Sequence, residues 1–357
     1  MYTVYADDQL IYSPDFITDG RAITDPTLEK EANKSGTFRF NIYTTNPCYN
    51  AIKPLKTIVY IKDGTEEIWR GRVLSYQNNF ENCKSVSCEG IQSYFVDSII
   101  RPYERTCGMA DQFRYYISQH NAQVESYKQF TVKSITVDDI YGSKEWKSDT
   151  YERTTDAIDK IVDDYGGYLV VTYENGQNMI SYLKNPGNQN TNQVINFGEN
   201  LMDITQSVDP SNVFTILIPV AYDSNNNKVT IESVNEGKDY LESAEGIDKF
   251  GRIFYQHTFE DPIETPTALK EKATNFLAEN IKNYYTISVK ALDLHLLNPS
   301  IDRLNIYDIL KIISKPHGIE ELEMCTKITL RFDSPENNEY LIGTIPEGIL
   351  STINENK

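Results

Sequence analysis

Asp223-Ser224-Asn225-Asn226-Asn227 opens like a calcium loop, whose carboxylate and carbonyl oxygens wrap a hard cation. The position that needs a glycine is Lys228, however, and the one that needs a bidentate glutamate is Val234. The stretch therefore reads as a hairpin turn. His120, His257, His295 and His317 are scattered and make no His-Glu-x-x-His pair. His317 falls in a Pro-His-Gly turn, where a structural role is expected. Cys48, Cys83, Cys88, Cys107 and Cys325 are odd in number and sparse, so no disulfide framework is expected. Cys83 and Cys88 lie close in sequence, but no second pair completes a zinc site. None of the five carries the local signature of a thiol protease, which leaves a cysteine and a histidine meeting in space as the route to such chemistry. There is no Gly-x-Ser-x-Gly elbow and no glycine-rich phosphate loop. Asp163-Asp164 ends a helix, the wrong end for a favourable dipole, and reads as a solvated face. A carboxylate pair for glycoside cleavage stays open in so acidic a chain. The expectation is no catalytic, cofactor-binding or metal-binding residue.

The bulk numbers agree with a binding or structural role. The 357 residues suggest two to four modules, and 25 tyrosines suit strands and subunit contacts. A net charge of −18 lacks the basic stripe that releases counterions from nucleic acid, so no stable nucleic-acid binding is expected. An acidic surface could instead let nucleic acid pass without sticking. No apolar run reaches membrane-spanning length, so no membrane insertion is expected. The first residues lack the charged head and apolar core of a signal peptide, which implies synthesis in the cytoplasm.

The elements around these residues are mostly strands. The organising stretch is Asn283–Gly343, with runs such as Thr286–Leu294, Leu304–Ser314 and Lys327–Phe332 broken by Asn298-Pro299 and Lys315–Ile319. Thr37–Tyr43, Lys56–Ile61 and Ile68–Tyr76 repeat that plan near the start. Met1–Tyr12 reads as a hairpin, and Asp25–Lys34 as a short helix or a loop. Met109–Asn121 and a helix opened by Thr154-Thr155-Asp156 have apolar residues at helical spacing, with a threonine as the expected N-cap of the second. Gly166-Gly167 ends that helix, and Tyr168–Tyr173 with Asn178–Leu183 makes a hairpin. Val213–Val220 and Val229–Val234 read as strands, Ile253–Gln256 as a short one, and Pro266–Asn280 as a helix. The expected fold class is α+β, mostly β: two related small β-barrels, each with an α/β decorating domain. The expected domains are 1–98, the first barrel; 99–204, α/β; 205–234 with 284–345, the second barrel; 235–283, a small α/β insertion; and 346–357, a stub.

Several of these stretches resemble a known family when taken in order. They are the Tyr2–Tyr12 hairpin, Thr154–Leu183, Ile231–Tyr240, Ala291–Leu294, Tyr307-Asp308 and Pro316–Ile319. Together they resemble the siphophage and prophage tail-tip family called prophage tail endopeptidase, the N-terminal hub part of tail-associated lysins. The resemblance implies the fold of phage baseplate hubs and type VI secretion spike bases. It implies a homotrimer whose six barrels adapt the tail tube to a threefold tip and pass DNA. The implied partners are the distal tail protein, tail tube or tape-measure proteins, and a C-terminal fibre or lysin component; the implied place is the virion tail tip. In that family the peptidase lies in a domain after the hub, so no catalytic position carries over, and the expectation here is the hub alone. The alternatives are a cell-wall peptidase or glycosidase, and a host-surface binding module with exposed tyrosine-rich loops.

Overall fold

The computed structural model describes residues 2–14, 20–189, 191–208, 210–259, 262–282 and 285–343. They fall into two compact units, one within Met1–Asp203 and Val289–Leu341, the other within Ile204–Ser288 and Ile342–Lys357. Strands dominate, as the sequence predicts. The stub expected at 346–357 lies outside the described residues.

The first unit is built on a long antiparallel sheet. Its opening strands are β1 (Tyr2–Ala6), β2 (Gln9–Tyr12), β3 (Thr24–Glu31), β4 (Thr37–Tyr43), β5 (Ile58–Asp63), β6 (Glu66–Asn78) and β7 (Cys83–Gly90). They are ordered β3-β4-β7-β6-β5-β1-β2. Strict alternation in β4 buries Phe38, Phe40 and Ile42 and turns Arg39 and Asn41 outward, because successive side chains of a strand point to opposite faces. Asp7 and Asp8 link β1 to β2 with φ of 45° and 66°, the left-handed pair that matches the twist of a two-residue hairpin.

β3 departs from the sequence reading, which expects a helix or a loop at Asp25–Lys34. Pro26 sits at a register shift between Thr24 and Thr27, where a strand tolerates the missing N–H. Leu28 is buried, while Lys327 reaches Glu29 (3.7 Å) and Glu31 (3.4 Å) from the neighbouring strand. That neighbour is Ile319–Arg331, paired antiparallel from Lys327↔Glu31 to Arg331↔Thr27. The N-terminal and C-terminal sheets are thus joined edge to edge. On the far side of the junction, Ile309–Ser314 pairs with Ile319–Arg331 and with Val194–Asn196.

The α/β part of this unit packs α1 (Met109–Asn121) and α2 (Thr154–Tyr165) on a three-stranded sheet of Phe130–Ile135, Tyr168–Glu174 and Gln177–Leu183. Its core includes Phe95, Phe113, Ile117, Ile158, Ile161 and Tyr182. The expected threonine cap is absent. Arg153 holds the N-cap position without a side-chain bond, and Thr154 Oγ1 instead meets Ser98 Oγ at 2.7 Å. Gly166 and Gly167 end α2 at φ of 67° and 86°, where a side chain would be strained. Tyr307 ties three regions together. Its hydroxyl donates to Leu169 O (3.0 Å) and accepts from Asn33 N (3.2 Å), while Asn33 Nδ2 donates to Gly167 O (3.1 Å).

The second unit has its own four-stranded sheet around Ile216–Tyr222. That strand runs antiparallel to Lys228–Val229 and Leu241–Glu242 and parallel to Phe254–Thr258. The sequence reading gave these residues to the second barrel. The returning strand expected at 229–234 does pair with it through Lys228–Val229, and its other partners come from 241–258, since an unbroken apolar run fits a central strand of any sheet. Helices α3 (Ala244–Phe250) and α4 (Pro266–Lys282) complete the unit, with Leu269, Ala273 and Leu277 of α4 in its core.

Candidate assembly surface

The residues singled out in the sequence make the following contacts. Asp223 Oδ1 accepts from Asn225 N (2.9 Å) and Asn227 N (2.7 Å), and Asn227 Nδ2 donates to Oδ2 (2.9 Å). This closes a hairpin turn, and the Asn227 side chain, first among these donors, holds the carboxyl below its usual pKa. No group of three or more His, Cys, Asp or Glu fit for a metal occurs among the described residues. All five cysteines are free, and burial pushes the Cys88 and Cys325 thiols up. His295 Nδ1 bonds Ile301 O (2.6 Å), His317 Nδ1 meets Ser314 Oγ (2.6 Å), and the His257 ring lies against Phe276. Asp164 lies 3.8 Å from Lys144 Nζ.

His120 meets a serine, which local sequence gave no sign of. Its Nε2 lies 3.1 Å from Lys128 O and its Nδ1 2.7 Å from Ser98 Oγ. A carbonyl only accepts, so Nε2 carries the proton and the Ser98 hydroxyl donates to Nδ1. Both side chains are sealed from solvent, so no substrate reaches them. Burial, the largest cause, holds this imidazole below its usual value of 6.5. The unfolded chain then takes up a proton that the folded chain refuses. Stability is full above about pH 6.5 and falls as pH drops below it. His120→Gln should remove that part of the slope, as a comparison of urea midpoints across pH 5 to 7 would check (about the range in which histidine titrates).

Register places a polar face on the back of the joined sheet. Arg331 pairs Thr27, which pairs Arg39, which pairs Ser87; Asn41 pairs Ser85. Directly opposed residues share a face, so these line one surface together with Glu29, Glu31, Lys327 and Thr329. Asn41 Nδ2 donates to Asp25 Oδ2 (2.8 Å), and Ser85 Oγ donates to Asn41 Oδ1 (2.7 Å). Each of its three cations has a carboxylate nearby: Arg39 with Glu29 (4.0 Å), Lys327 with Glu29 and Glu31, Arg331 with Glu339 (3.2 Å). A shallow hollow of about 360 Å³ lies here, lined by Asp25, Glu29, Arg39, Asn41, Ser85 and Ser87 among others. A polyanion would meet paired cations, hydroxyls and amides on this face, with no basic stripe to hold it. The outer half of β6 and its turn carry exposed apolar groups, Leu74, Tyr76 and the wholly exposed Phe80. Phe80 sits in the polar run Asn78-Asn79-Phe80-Glu81-Asn82, and an aromatic in such a turn is the signal that would have found it.

Comparison with known proteins gives a family match over part of the chain and a shared fold over nearly all of it. Residues 189–353 match the family model described as Prophage endopeptidase tail. No curated protein matches the chain's sequence. Three solved structures share the fold over nearly the whole length of both chains. The 43 kDa tail protein of prophage MuSo2 from Shewanella oneidensis has TM-score 0.68 at 12% identity, covering 97% of this chain and 98% of its own. The tail protein from Neisseria meningitidis MC58 has TM-score 0.67 at 11% identity, covering 98% and 97%. Prophage tail protein gp18 from Listeria monocytogenes EGD-e has TM-score 0.62 at 14% identity, covering 99% and 97%. The sequence over 189–353 is thus similar to the Prophage endopeptidase tail family, and the fold throughout is the one these three tail proteins share.

Proposed function

We propose that the chain is the structural hub of a phage tail tip, a homotrimer in which each copy contributes two joined sheets to a ring around the DNA path. The observation that carries this is the continuous ladder through β3 and Ile319–Arg331, with one polar, charge-balanced face across the junction. Such a face suits the wall of a channel that DNA must pass without sticking. Cyclic symmetry needs head-to-tail contacts between unlike surfaces, and exposed Phe80, Tyr76 and Leu74 suit one side of such a contact. The ring would stack on the distal tail protein or tail tube and carry a fibre or lysin component beyond it. In this reading the hub works by shape and interfaces, and the endopeptidase of the family's description belongs to another part of the tail.

Light scattering over a concentration series tests the proposal. A mass near three chains is expected, with Phe80→Asp shifting the protein toward monomer. Monomer at every concentration would count against the ring. Release of soluble peptidoglycan from cell walls by the purified chain would move the assignment to a lysin.

A further inference from the structure

A cleft of about 470 Å³ opens where the α/β part meets β5 and β6, between the segment 126–131, the hairpin 173–178 and the residues Ile58 and Arg70. Its size lies within the range of small-ligand sites, roughly 300–1,000 Å³. Tyr127 is 49% exposed and stands edge-on to buried Tyr94, with centroids 6.3 Å apart at 85°. Tyr173 is 37% exposed, with the Arg70 guanidinium 3.7 Å from its ring centroid. Arg70 is itself fixed by two 2.7 Å bonds to Glu67. Buried Asn178 donates to Tyr127 O (2.9 Å) and Gln129 O (3.1 Å), and Asn121 clamps Phe130 N (2.9 Å) and O (2.8 Å). The segment bearing Tyr127 is therefore held in place by side-chain amides before any ligand arrives. Gln129, Thr131 and Gln177 remain exposed around the rim.

The lining has no carboxylate, in a chain with 52 acidic residues. Its one charge, Arg70, is already matched by Glu67. A half-exposed phenol ring at Tyr127, rim amides and hydroxyls, and near-neutral charge are what a sugar needs. One face of a pyranose is apolar C–H and stacks on an aromatic ring, while its edge of hydroxyls seeks amides. A nucleic-acid strand would offer bases to the same rings, but its phosphates would find one neutralised arginine. We propose that this cleft binds a neutral oligosaccharide, with a sugar ring on Tyr127 and its hydroxyls on Gln129, Gln177 and the Tyr173 phenol. The site is complete within one copy, so it does not depend on ring closure.

The full chain would be titrated by calorimetry with the β-linked tetramers of N-acetylglucosamine and of glucose, and with oligothymidylate. Saturable binding of a neutral tetramer is expected, weakened about tenfold or more in Tyr127→Ala, the loss that one stacked ring accounts for. Gln177→Ala, in an exposed turn, should give a smaller loss. An unchanged circular dichroism spectrum and melting temperature would show that both variants are folded. The proposal is overturned if neither tetramer binds, if Tyr127→Ala binds as well as the parent, or if only oligothymidylate binds.

Discussion

Arg72→Met will cost the folded protein about 3 kcal/mol, because it leaves Glu89 unpaired and takes one of two cations from Asp97 at a partly buried site. The Arg72 side chain is only 6% exposed. Its Nε donates to Glu89 Oε1 (2.7 Å), and its two terminal nitrogens donate to Asp97 Oδ2 (2.5 Å) and Oδ1 (3.0 Å). Lys128 Nζ joins Asp97 at 3.0 Å, and the Tyr94 ring centroid lies 5.2 Å from the guanidinium carbon. The group therefore binds β6 to β7 and both to the start of the α/β part. Methionine keeps the volume but strips Glu89 of its partner and halves the charge facing Asp97. Arg72→Lys should fall between, since one ammonium cannot reproduce the two-pronged contact. Urea midpoints on the three proteins would give the order parent, Arg72→Lys, Arg72→Met.

Acid provides a second reading of the same cluster. Burial pushes the Asp97 carboxyl up, but the hydrogen bonds and charges of Arg72 and Lys128 outweigh it and hold the pKa below the usual 3.8. A depressed carboxylate contributes stability above its unfolded pKa and loses it as pH falls through the folded value. Part of the acid slope below about pH 4 should therefore vanish in Arg72→Met. An unchanged slope would mean that Lys128 alone sets the Asp97 titration.

How far the sequence could be read follows from where each signal lies. α1, the α2 helix and the Gly166-Gly167 stop were legible because helical spacing and glycine act over a few residues. β4 was legible for the same reason, through Phe38, Phe40 and Ile42. β3 was not. Leu28 lies among charged residues whose meaning depends on Lys327, about three hundred residues away. Ile216–Tyr222 read correctly as a strand but to the wrong sheet, since an apolar run does not name its partner. The polar face is invisible before register is known, because Thr27, Arg39 and Ser87 come from three separate strands. The Ser98–His120 bond and the cleft at Tyr127 likewise join residues with no local relation.

Gly90→Ala will be among the most damaging single-methyl additions, at about 3 kcal/mol or more. Gly90 has an ordinary φ of −66°, so the residue is there for space. A Cβ would fall 1.7 Å from Ser35 O, where no adjustment of a flexible side chain can help. Gly71 lies opposite in the ladder, and a Cβ there would meet Glu89 O at 2.2 Å and the Trp69 ring at 2.4 Å. The paired glycines thus make room for the Trp69 indole and for the turn whose Gly36 O accepts from Gly90 N at 3.0 Å. A glycine inside a strand advertises a close approach, but only the fold says what approaches. Gly64→Ala is the control: its φ is 59° with nothing within 4 Å, so it should cost only about 1 kcal/mol of backbone strain. β7 also carries Ser85 and Ser87 to the polar face, and its turn carries Phe80. Spreading the ladder at Gly90 should therefore shift that face and weaken the proposed self-association along with stability. Equal midpoints for Gly90→Ala and Gly64→Ala would mean that the Ser35 turn yields to a methyl, and the β6–β7 ladder could not then be the rigid element that a ring of copies requires.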